Sequence, residues 1–252
     1  MSVPDRSPWF DAMLARLPDG AVCDVRVGVH WTAVVVETDG RLRCGLAATQ
    51  MPAEHAGPTV ADAGRLIQHT GLELAGLIRS SSPTEASIGL AAINALLPHG
   101  STSLGNVNAG ELLAEYGAGK RVAIVGHFPF VDDLRERVGA LSVLELQPRP
   151  GDLPASAAVE VVPEADVLAL TATTLLNHTF DGLMALRSPG ALVMLLGPST
   201  PLTPLLFDYG VDLLSGAIVE DIDAVLASVS QGAGFRQIHR AGVRLVTLQH
   251  RA

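Results

Sequence analysis

Two carboxylates and a histidine carry most of the chemistry this chain could do: Glu145, Asp152 and His127. Glu145 closes the apolar run "LSVLEL", and "QPRPGD" follows, ending on Asp152. In an open parallel sheet, ligands bind beyond the carboxyl ends of the strands, where the strand order reverses. An acid that closes the second strand there can accept bonds from two ribose hydroxyls. Glu145 stands 19 residues after Gly126, close to the spacing such an acid keeps from the first glycine turn. The competing reading of Glu145 is a solvated strand end or an ion pair with Arg149. Asp152 either aims into the same cleft or is a plain turn acid. If the site holds a general acid or base, the candidates are Glu145, His127 and Asp152, because strand-end groups in a closed cleft titrate usefully.

Four further stretches follow apolar runs. "VGHFPF" (125–130) keeps Gly126 but puts His127 and Phe128 where a dinucleotide fingerprint has glycines, so the diphosphate cradle is missing. "LTATTLLNHTF" (170–180) offers Thr171, with Thr173 or Thr174 as a helix N-cap. Asn177, His178 and Thr179 come next, and His178 reads as a surface residue rather than a base. "LGPSTPLTP" (196–204) ends a strand on Gly197 and Pro198 and presents Ser199 and Thr200. It is not the GxSxG elbow of an α/β-hydrolase. "LLSG" (213–216) ends another strand on Ser215 and Gly216. "YGAGKR" imitates a phosphate loop but precedes a strand instead of following one. His30, His55 and His69 are dispersed, so spacing defines no metal site.

The elements that must position these residues fall into two regions. The N-terminal region reads as antiparallel strands, with "TDGR" (38–41) as an Asp-Gly hairpin turn. Helices are expected over 71–80 and 82–97, the second capped by Ser82 or Thr84 and stopped at Pro98. Its Gly89, Ala91, Ala92 and Ala95 would let another element approach closely. "PHGSTSLGNVNAG" (98–110) reads as a connection, and "ELLAEYGAG" (111–119) as a short helix. We place the domain boundary at 105/106. From 121 onward, apolar runs at 121–126, 141–146, 166–172, 191–197, 211–216 and 243–248 alternate with amphipathic helical periods. That pattern predicts an α/β fold, a Rossmann-like doubly wound parallel sheet covered on both faces, beside a smaller N-terminal α+β domain.

Composition narrows the function classes. Of 252 residues, 48% are hydrophobic and 17% charged, which suits a buried core rather than a disordered chain. The net charge is −9 with a single lysine, Lys120, so no basic stripe exists for nucleic acid. No apolar run reaches the roughly 18–20 residues that span a bilayer, and no signal-peptide core is visible, so a cytoplasmic location and no membrane partner are expected. The two cysteines, Cys23 and Cys44, are expected in strands as small apolar residues. The helices at 71–97 could equally serve a homodimer interface or a contact between domains.

Taken in order, "SIGLAAINALL", "VAIVGHFPF", "LELQPRPGDLP", "ADVLALTATTLLNHT", "LGPSTPL" and "FDYGVDLLSGAIVED" resemble the DUF364 family, labelled as a "putative heavy-metal chelation" domain, with its companion DUF4213 at the N-terminus. The resemblance spans nearly the whole chain. It implies an enolase N-terminal-like domain joined to a Rossmann-like one, with a ligand cleft between them. By position it implies Gly126, Glu145, Asp152 and Thr171 in that cleft. Asn177, Thr179, Gly197, Pro198 and Ser199 join them, and Asn94 faces it from the smaller domain. Where relatives carry a glycine after the third strand, this chain has Ala172. The label implies a small ligand or metal in the cleft. Two alternatives stand beside it: an enzyme using a nucleoside-type cofactor such as S-adenosylmethionine, and a non-catalytic metabolite-binding module. Fold alone does not separate them.

Overall fold

The computed structural model describes residues 7–52, 59–98 and 108–250. The expected boundary at 105/106, most of the connection at 98–110 and His55 lie outside these residues. Helix α1 (Pro8–Leu14) leads into strands β1 (Ala21–Val27), β2 (Trp31–Thr38) and β3 (Arg41–Ala48), then helices α2 (Gly71–Gly76) and α3 (Pro83–Leu96). The strands form an antiparallel three-stranded sheet. Asp39 and Gly40 both have positive φ, 53° and 69°, as a tight β2–β3 hairpin turn requires. Ser82 caps α3, accepting a bond from the Glu85 amide, and α3 ends at Leu96 before Pro98.

The second region runs α4 (Ala109–Gly117), β4 (Arg121–Val125), α5 (Val131–Arg135), β5 (Ala140–Glu145), β6 (Leu153–Pro154) and α6 (Ala158–Val161). It continues with β7 (Val167–Thr171), α7 (Thr173–Leu176), α8 (Phe180–Leu186) and β8 (Leu192–Leu196). It ends with β9 (Leu213–Val219), α9 (Ile222–Ser230), α10 (Phe235–Arg240) and β10 (Val243–Gln249). The strands build a seven-stranded sheet in the order β10-β9-β8-β7-β4-β5-β6, parallel except for β10. Counting from β4, this is the doubly wound order 3-2-1-4-5-6 with one antiparallel edge added. The strand interiors are apolar on both faces because both faces are covered, as at Val122, Ile124, Leu168, Leu170, Val193 and Leu195.

The two sheets share their packing. The small sheet lays one face on α3 and the other on α9 and α10, where Val35, Cys44 and Leu46 meet Val225, Val229 and Ile238. Gly45 sets the closeness of the first contact: a Cβ there would lie 2.1 Å from the Ala91 carbonyl oxygen and 2.3 Å from the Ala95 nitrogen. Gly89 does the same where α3 meets the turn before it, 2.1 Å from the Ile78 nitrogen. The small residues expected to admit a neighbour therefore do so at backbone distance. Among the described residues no helix is long and apolar enough to cross a membrane.

Two expectations need correction. The amphipathic period "TLLNHTFDGLMALR" (174–187), which reads as one helix in the sequence, is two helices, broken at Asn177–Thr179, where His178 takes φ 57°. A histidine in the left-handed region cannot continue a right-handed helix. The cysteines also differ from each other. Cys44 is buried in β3, and burial pushes its thiol up to about 12. Cys23 falls in the register shift between Val22 and Asp24, a bulge that turns its side chain to solvent. A maleimide should therefore modify one thiol per native chain, Cys23, and reach Cys44 only after denaturation. Equal labelling of both in the native state would contradict the packing of β3.

Candidate functional site

The switch in strand order falls between β4 and β7. There Gly126 takes φ 103°, and a Cβ on it would lie 2.9 Å from both Cβ and Cγ2 of Thr171. Glycine is thus required twice, by its dihedral and by the crossing of the β4 loop over the end of β7. Beyond this crossing opens a cavity of about 350 Å³, at the small end of the roughly 300–1,000 Å³ typical of ligand sites. Gly126, His127, Glu145, Thr171, Asn177 and Thr179 supply its polar lining, over apolar groups such as Leu144 and Leu183. All of its lining residues fall within 125–183. This cavity therefore belongs to the large-sheet region, whereas a second one draws Trp31 of the small sheet together with Gly197 and Pro198.

Glu145 has a defined task in this frame. Its Oε1 accepts the His127 amide at 2.8 Å and its Oε2 accepts the Leu146 amide at 3.0 Å. The acid at the end of the second strand thus ties down the loop after the first, through charge-assisted bonds. No ion pair links it to Arg149 among the described residues. A carboxylate offers about four lone-pair sites, so two remain beyond these bonds on a residue that lines the cavity.

His127 and Asp152 form a second unit. The His127 Nδ1 lies 3.0 Å from Asp152 Oδ2, and the Asp152 side chain is fully covered. Asp152 Oδ2 also accepts the Arg149 amide at 3.1 Å. Burial works to raise the Asp152 pKa, but the Arg149 amide, the His127 ring and the Arg135 charge together outweigh it and hold the group below its ordinary 3.8. An ionised Asp152 favours the Nδ1–H tautomer of His127 and leaves its Nε2 with a lone pair, the arrangement that suits a proton acceptor. A depressed folded pKa adds stability above the unfolded value and loses it as pH falls through the folded value. The stability gap between wild type and Asp152→Asn should therefore be widest at neutral pH and shrink below about pH 4. Denaturant melts at pH 7 and pH 3 measure this, and a gap that widens in acid would contradict an Asp152 held ionised by its partners.

Other predicted residues go elsewhere. Gly197 and Pro198 line a second cavity. Gly197 has φ 109° with nothing within 4 Å of a Cβ, so the turn alone requires glycine there. Ser199 lines neither cavity: it is 2% exposed, and its hydroxyl accepts the Ala48 amide at 2.8 Å. Asn94 donates to the carbonyls of Leu46 and Ser199 at 2.8 and 3.1 Å. These two are clamps joining the sheets. Thr171, rather than Thr173 or Thr174, receives the first bonds of α7, from the Thr173 amide and hydroxyl. His178 Nε2 donates to the Ser80 carbonyl at 3.2 Å, and His178 lines neither cavity.

A chelating site needs three or more donors facing one point. Among the described residues no group of three His, Cys, Asp or Glu side chains is so placed. Among the described residues the cavity lining holds two such donors, His127 and Glu145, and both cysteines lie in the small sheet. Among the described residues the donor set does not fit a metal. Sequence reasoning missed Phe128, which lines both cavities, although the aromatic pair in "HFPF" after an apolar strand was a signal.

Comparisons with known proteins agree with this architecture. Residues 108–247 match the DUF364 family and residues 10–97 match DUF4213, both described as "Putative heavy-metal chelation". An uncharacterized protein of Methanocaldococcus jannaschii is 25% identical over 215 residues, covering 82% of each chain. A crystal structure of a DUF364-family protein of unknown function from Desulfitobacterium hafniense superposes with a TM-score of 0.84 at 30% identity, covering 96% of this chain and 97% of that one. Another, from Pyrococcus horikoshii, shares the fold at 22% identity and a TM-score of 0.75, with 96% and 98% coverage.

Proposed function

The chain belongs to the DUF364 family, and from that premise we propose that it binds a ribose-bearing, nucleoside-type small molecule, S-adenosylmethionine being one of that class, in the cavity at Glu145. The observation that carries this reading is the position of Glu145: an acid closing the second strand of a doubly wound sheet and lining the cavity, with acceptor capacity beyond its two amide bonds. Two vicinal hydroxyls could donate to it, while Thr171, Asn177 and Thr179 add neutral polar contacts. No lysine or arginine lines the cavity among the described residues, so a 5′-phosphate would enter without a counter-charge. This favours a nucleoside over a nucleotide.

His127 is the group that would take a proton from the bound molecule through Nε2, with Asp152 positioning it. The chelation reading draws on the family description, and the donor set argues against it. Mass spectrometry and metal analysis of untagged, denatured protein separate the two. A ribose-bearing molecule released from the chain, with metal far below one per chain, is expected. One firmly held metal per chain would overturn the proposal.

A further inference from the structure

The second cavity, of about 460 Å³, lies on the other side of the loop that carries His127. Trp31 of β2, Phe128 and Phe130 of the β4–α5 loop, and Phe235 at the start of α10 all line it. The chain has ten aromatic residues of the Phe, Trp and Tyr types, so four of them meet in one place. Trp31 and Phe235 have ring centroids 5.9 Å apart at 52°, and Phe128 and Phe130 stack at 5.2 Å and 8°. Asp133, on α5, is the one charged side chain of the lining among the described residues. No lysine, arginine or histidine is present to receive an anion.

We propose that this cavity is a binding site for an organic cation, of the substituted-ammonium class, held by aromatic faces with Asp133 as counter-charge. Aromatic rings present negative faces, and tryptophan presents the strongest. An exposed carboxylate beside them adds attraction without the cost of burying it. A neutral apolar guest would gain the same contact area but neither of these terms. The proposal does not depend on which ligand occupies the cavity at Glu145. Phe128 lines both, however, so a cation here would press on the loop that holds His127.

Choline and 3,3-dimethylbutan-1-ol, which replaces its nitrogen with carbon, are the probes. Trp31 reports binding by fluorescence, because the other tryptophan, Trp9, is 1% exposed in the core. Calorimetry on the full chain provides a second readout. Choline should bind saturably and about tenfold more tightly than its neutral isostere, as one cation–π contact of roughly 1.4 kcal/mol predicts. Asp133→Asn should reduce that ratio, and Phe235→Ala should weaken choline while leaving the far-ultraviolet circular dichroism unchanged. Equal affinity for the two probes would overturn the proposal in favour of an apolar site. No saturable choline binding by either readout would overturn it outright.

Discussion

Glu145→Gln should lower affinity for a ribonucleoside about a hundredfold, the equivalent of roughly 2.7 kcal/mol. Two effects combine. The ribose hydroxyls lose a charged acceptor, and hydrogen bonds to charged groups contribute about 1.5–3 kcal/mol each. The new amide also turns an N–H toward one of two amides, His127 or Leu146, that now donate to Glu145. A donor facing a donor pushes the β4 loop away and moves His127 with it. Hydrogen exchange at the His127 and Leu146 amides should quicken in the variant. Calorimetric titration measures the affinity. An unchanged affinity with quickened exchange would assign Glu145 to loop anchoring alone.

Gly45→Ala should destabilise the protein by about 4 kcal/mol or more, in the range reserved for severe overpacking. The added methyl would sit 2.1 Å from the Ala91 carbonyl oxygen and 2.3 Å from the Ala95 nitrogen. Both contacts are backbone atoms of α3, so neither yields by a side-chain rotation. The helix must lift off β3 as a whole. Asn94, the residue before Ala95, would then lose its bonds to Leu46 and Ser199, and with them part of the seam between the sheets. Gly76→Ala is the matched control. It has open space around its Cβ and ends a helix, so it should be neutral or stabilising by up to about 1 kcal/mol. Chemical denaturation of the two variants compares them, and a Gly45→Ala cost below that of ordinary surface changes would refute the close packing.

The parts of this molecule that were legible in sequence are those where one local rule decides. Buried parallel strands read as continuous apolar runs, so β4, β5, β7 and β8 were visible, and their order places Glu145 at the edge where ligands bind. The Asp39–Gly40 turn and the Ser82 cap follow from side-chain chemistry alone. What escaped depends on tertiary contact. Ser199 follows a strand end like any site residue, and only the arrival of Ala48 makes it a clamp. Cys23 looks like Cys44 until the bulge turns it outward. The aromatic cavity draws Trp31, Phe128 and Phe235 from distant parts of the sequence, and no spacing rule joins them. Strand β6 has two residues and no periodicity to detect.

The central claim is that the acid at the end of β5 receives a ribose. Calorimetric titration of the wild-type chain with the four common ribonucleosides, and with the 2′,3′-dideoxy and 5′-monophosphate forms of whichever binds, tests it most directly. The account predicts one site per chain, with affinity at least about tenfold weaker for the dideoxy form, which lacks the diol that Glu145 would hold, and for the phosphate, which meets no cation. Binding that ignores the loss of the diol, or no saturable binding of any ribonucleoside, would contradict it.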